Sequence, residues 1–152
     1  MLIAKLLHVL STVLWVGGMF FAHQCLRPAV LAQLDQPPLR LKLWNAVFGR
    51  FFPWVWVSVI LLLVTGQWMV LQMGGMAGLP VHLHVMTGIG YVMAAIFAYI
   101  YFVPYGRLRR AVAAEDWPAG KAALDRIRGL VGTNLVLGVV NVCLVFLLPL
   151  LG

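Results

Sequence analysis

Almost all the positive charge of this chain is confined to two segments, and the stretches between them are long and apolar. Ten of the eleven Lys and Arg residues are Arg27, Arg40, Lys42 and Arg50 in the first segment and Arg107, Arg109, Arg110, Lys121, Arg126 and Arg128 in the second; Lys5 is the eleventh. Residues 2–23, 51–73, 81–103 and 129–151 form four apolar runs, each long enough as a helix to cross a hydrocarbon core of about 30 Å. The expected fold is all-α: an integral membrane four-helix bundle, one domain over residues 1–152, with loops at 24–50 and 104–128. Basic loops stay in the cytoplasm. Both termini and the uncharged hairpin at 74–80 are therefore expected on the periplasmic side.

Composition leads to the same class. A chain that is 63% hydrophobic and 10% charged cannot hide its apolar surface inside a soluble globule of 152 residues. A net charge of +7 would suggest nucleic acid in a soluble protein. Here the basic residues rim one membrane face, so the expected partner is the lipid bilayer with its anionic headgroups, and no nucleic acid. The first run has the length of a span, carries His8 and Trp15 inside it, and lacks an A-x-A-like site near Ala22, so it reads as a transmembrane helix rather than a cleaved signal. The expected location is a bacterial-type inner membrane, crossed several times. Cys25 and Cys143 fall at different depths, which argues against a disulfide and for two free thiols.

The loops carry signals of their own. Gln36-Pro37-Pro38 breaks the chain, and residues 39–52 alternate basic and apolar residues as a short interfacial helix would, with Trp44 as its anchor and Pro53 opening the next helix. Asp116-Trp117-Pro118 offers a cap and a first-turn proline for a segment that runs into the fourth span. Helices in lipid associate through small and polar residues. The expected seams are Ser11, Thr12, Gly17 and Gly18; Ser58, Thr65 and Gly66; Thr87, Gly88 and Gly90; and Asn134, Gly138 and Asn141.

Depth selects the candidate functional residues. The first and third spans both enter from the outer side, which brings His8 and His84 to a similar level; His82 lies nearer the water. Met69 and Met73 leave the second span at that end, Met76 is in the hairpin, and Met86 follows His84 by two residues. Imidazole and thioether suit the soft ion Cu(I), and histidine pairs also serve as axial ligands of haem b. Without C-x-x-C-H, covalent haem attachment is excluded. His23 and Cys25 form a weaker second metal candidate at the opposite end.

Lys5-Leu6-Leu7-His8-Val9, Leu14-Trp15-Val16-Gly17-Gly18-Met19 and His84-Val85-Met86 together resemble the CopD-type copper resistance membrane family. That resemblance implies copper handling at the inner membrane. The same landmarks are similar to those of the four-helix membrane protoporphyrinogen oxidases, which pair a first-helix His with a His-Val-Lys run; this chain has Met86 where that family has the lysine. Two functions of different class follow. One is a copper-handling protein using His8, His84, Met69, Met73 and Met86. The other is a haem-b redox protein, enzyme or electron carrier, with His8 and His84 as axial ligands. A third reading is an accessory subunit of a larger membrane complex. Copper handling leads, because the methionines gather at the side from which periplasmic copper arrives. Partners left open are a periplasmic copper protein, a larger complex and a second copy of the chain. With no P-loop and four acidic residues, the chain is not a stand-alone pump.

Overall fold

In a computed structural model that describes residues 1–150, the chain is all helix. The expected end of the fourth run at residue 151 lies outside the described residues. Helix α1 (Leu2–Phe20) passes through a π-helical turn (Phe21–Leu26) into α2 (Arg27–Gln33), and α3 (Pro37–Gln72) returns. After a short hairpin come α4 (Val81–Phe102), α5 (Pro104–Ala113) and α6 (Trp117–Leu147). Four continuous rods result, Leu2–Gln33, Pro37–Gln72, Val81–Ala113 and Trp117–Leu150, each long and apolar enough to cross a membrane. α1 packs along α3 and α4 along α6, while α1 also meets α6 and α3 meets α4. Trp15 and Phe97 bridge α1 and α4 edge to face, with ring centres 6.1 Å apart.

The segments expected as loops at 24–50 and 104–128 are largely helical. At 1.5 Å per residue the 32-residue first rod measures about 48 Å, well beyond a hydrocarbon core of about 30 Å. The rods therefore project past the core at the basic end. Residues 39–52 do not form a separate interfacial helix: they are continuous with the second span, and Pro53 lies inside α3. The reason is the stripe Leu41, Trp44, Phe48, Phe52, Val55 and Val59, all buried and spaced for one helix face on both sides of Pro53. An interior proline costs about 3 kcal/mol, whereas burying each large apolar side chain contributes roughly 1.5–3 kcal/mol, so continuity wins. Phe48 stacks on Phe52 at 4.9 Å, and both meet Tyr105 at the start of α5. Leu108 and Ile127, fully buried, complete this end of the core.

The cap expected at Asp116 is present: its carboxylate accepts from the Ala119 N–H at 3.1 Å, and α6 runs unbroken from there into the fourth span. The preceding turn closes as a Schellman motif, Asp116 N–H to Ala111 carbonyl and Glu115 N–H to Val112 carbonyl, with Glu115 at φ 54°. Cys25 and Cys143 are free and exposed.

The seams are partly as expected. Ser11, Ser58, Thr65 and Asn134 are buried. Gly18 takes the Phe51 ring against its backbone, and Gly138 takes Val16 and Met93. Gly17, Gly88 and Gly90 face open space, so they are not contact points between these helices. Asn134 and Asn141 tie α6 to α4 by donating to the Met93 carbonyl at 3.1 Å and the Met86 carbonyl at 3.3 Å.

Candidate functional site

His8 stands near the N-terminal end of α1, half-buried against α3. Its Nδ1 lies 2.9 Å from the Thr65 hydroxyl. Thr65 is buried on α3, and its hydroxyl donates to the Leu61 carbonyl at 2.5 Å. With that single proton engaged, the Thr65 oxygen accepts, so Nδ1 of His8 carries the ring proton. Nε2 is left with a free lone pair. Gly66 lies beside the ring: a Cβ there would stand 3.4 Å from Cε1 of His8, an ordinary van der Waals contact. Thr65, legible in the sequence only as part of a packing seam, thus sets the orientation and tautomer of the imidazole. The signal that could have revealed it is depth, because α3 runs antiparallel to α1 and places Thr65 at the level of His8.

His84 sits in the first turn of α4. Its Nδ1 donates to the Pro80 carbonyl at 3.3 Å, one turn back, which also leaves Nε2 as the free acceptor. Pro80 supplies this partner because it precedes the helix in extended conformation, at ψ 153°. A histidine whose one nitrogen is held by an outer partner while the other is open has the arrangement seen around metal-ligating imidazoles.

The hydrogen bonds of the two histidines go to different places, His8 to α3 and His84 to its own turn, and α1 and α4 are not among the helix pairs that pack along their lengths. Met69 is half-buried one turn beyond Thr65 on the same face of α3, and Met86 is half-buried on α4, its carbonyl held by Asn141. Met73 and Met76 are exposed, by 42% and 46%, at the end of α3 and in the hairpin. All these residues therefore lie at one end of the bundle. No group of three or more His, Cys, Asp or Glu side chains able to hold a metal occurs among the described residues. His23 and Cys25, on the π-helical turn, point apart: His23 is half-buried against Gly132 of α6, whereas Cys25 is exposed.

Sequence reading missed a cavity at the opposite, basic end. It measures about 530 Å³ and lies between the π-turn with α2, the start of α3 and the start of α6.

A family model described as copper resistance protein D, CopD, matches residues 45–148. No curated protein and no solved structure matches the chain. The matched region takes in most of α3 and all of α4, α5 and α6. His84, Met69, Met73 and Met86 lie inside it, and His8 lies outside. With the match covering more than half of a chain that forms four membrane-spanning rods, the protein belongs to the copper resistance protein D family.

Proposed function

We propose that this chain is a copper-handling protein of a bacterial-type inner membrane, a single four-helix domain with both termini and the hairpin on the periplasmic side. There His8, His84, Met69, Met73 and Met86 offer donors to Cu(I) as cargo. The observation that carries this reading, beyond family membership, is that both imidazoles have Nδ1 engaged and Nε2 open at the end of the bundle where the methionines gather. Imidazole nitrogen and thioether sulfur together favour Cu(I) over harder ions. Met73 is exposed whereas His8, His84, Met69 and Met86 are half-buried, which suits an ion handed from water to the interior. Neither residue spacing nor charge supplies a motor, so any movement of copper follows a gradient or a partner.

The test is Cu(I) titration of the detergent-purified full chain against a competing chelator. His8→Ala and His84→Ala should each weaken binding at least tenfold, and the triple change of Met69, Met73 and Met86 to Leu, which keeps size and apolarity, should weaken it further. Parental binding by all of these variants, or a Soret band in the purified protein, would sink the reading. The orientation is checked separately by a reporter active only in the cytoplasm. Fused after Gly152 it should be silent, and activity there would reverse the topology.

A further inference from the structure

The cavity at the basic end has a built chemistry that the copper reading does not use. Four basic side chains, Arg27, Arg40, Lys121 and Arg128, line it against one carboxylate, Asp125. Asp125 is already engaged, by Lys121 at 3.0 Å and Arg128 at 3.3 Å. Arg40 holds the carbonyls of Leu34 and Leu31 at the end of α2, so its charge stays fixed at the cavity. Arg27 makes no ion pair among the described residues. The first turns of α3 and α6 also open on this space, at Pro37 and at Trp117 and Pro118, which adds the positive ends of two long helices. The field in the cavity therefore favours an anion.

Its walls are of the opposite kind. Leu41, Trp44, Phe48, Trp117 and Ile127 make most of the surface apolar. A second cavity of about 150 Å³, almost wholly apolar, lies deeper in the bundle and shares Ala22, Phe48 and Val131 with the first as walls. Asn134 lines this inner chamber, is 1% exposed, and has a buried Oδ1 without a partner. The π-helical turn is part of the construction. It carries His23 onto the wall of the outer cavity, where Gly132 leaves the room: a Cβ at 132 would lie 3.1 Å from Nε2 of His23. π-turns of this kind recur at binding sites.

We propose that these adjoining cavities form a binding site for an anionic phospholipid, its phosphate held by Arg27 and Arg128 at the rim and its acyl chain lying along the apolar wall at Phe48 and Val131, which the two cavities share. A soluble phosphate would satisfy the arginines but leave the apolar walls uncovered, and a zwitterionic lipid would fill the walls but cancel its charge against the rim. Basic pockets between helices at a membrane surface take acidic headgroups on these grounds. Trp117, half-buried on the cavity wall, suits the level where aromatic side chains meet headgroups.

The test is native mass spectrometry of the delipidated full chain in detergent, with phosphatidylglycerol, phosphatidylcholine of the same chain length, or inorganic phosphate added. One phosphatidylglycerol should be retained at least tenfold more tightly than phosphatidylcholine, and inorganic phosphate should not compete at equal concentration. R27Q/R128Q should lose that preference. R50Q/R109Q removes as much charge from outside the cavity and should keep it, which separates a built site from general basicity. A preparation of R27Q/R128Q with parental helix content and parental Cu(I) binding rules out misfolding as the cause. Equal retention of both lipids, full competition by inorganic phosphate, or equal loss in the two double variants would overturn the proposal.

Discussion

Asn134→Asp is expected to leave little folded protein, at a cost of about 3–5 kcal/mol, the range for a buried charge deprived of its partner. Asn134 is 1% exposed in the middle of α6, and its Nδ2 donates to the Met93 carbonyl of α4 at 3.1 Å. Aspartate has nearly the same shape but, when ionised, nothing to donate. It would set a carboxylate against a carbonyl oxygen in surroundings too apolar to solvate it. Asn134→Leu should be far milder, about 0.6–2 kcal/mol, the measured span for interhelical hydrogen bonds in membranes. Leucine removes the donor but also removes Oδ1, which has no partner in the native fold. Thermal unfolding in detergent should rank parent, Leu and Asp in that order. A tolerated aspartate would mean that the carboxyl is held neutral and donates to the Met93 carbonyl as the amide does, or that water reaches this part of the bundle.

Gly138→Leu is expected to prise α6 away from its neighbours and to rival the aspartate in effect. A Cβ at 138 would already stand 2.9 Å from Cγ2 of Val16 and 3.1 Å from Cε of Met93, so α1 and α4 both close on this residue. The branched Val16 has little freedom to retreat, although the end of Met93 can move. Alanine should therefore cost about 1–3 kcal/mol, the usual range for overpacking, and leucine more. Gly88→Ala and Gly90→Ala supply the contrast. Open space surrounds both on α4, so the added methyl meets nothing and the gain in helix propensity, up to about 1 kcal/mol, goes unopposed. Equal melting shifts at positions 88 and 138 would show that α6 is not held closely at this crossing.

The candidate site was legible residue by residue but not as an arrangement. His8, His84 and the methionines could be placed at one end of the bundle from the order of the apolar runs alone, and the helices do bring them to that end. The partner of each imidazole could not be read in the same way. Thr65 meets His8 across 57 positions of sequence, and the meeting depends on how α1 is rotated against α3. The cavity at the basic end was hidden for the opposite reason. Its arginines looked like a membrane-facing charge cluster, and only the continuation of α3 through Pro53 and the widening of the first rod at the π-turn draw them around a common space.

What the sequence by itself determined is what depends on short segments and their solvent. Four apolar runs of spanning length require four helices, since transfer into lipid is set by each run's own side chains and every backbone group must be satisfied within it. The start of α6 at Asp116 belongs here too, because a carboxylate followed by Trp-Pro forms its cap within one turn. Only the tertiary structure decided that the basic segments extend the rods instead of looping. It likewise decided which glycines are contact points and which nitrogen of each histidine remains open. Those outcomes turn on packing between residues far apart in sequence: the buried stripe across Pro53 outweighs one lost hydrogen bond, and Val16, Met93 and Thr65 set how closely neighbouring helices can approach.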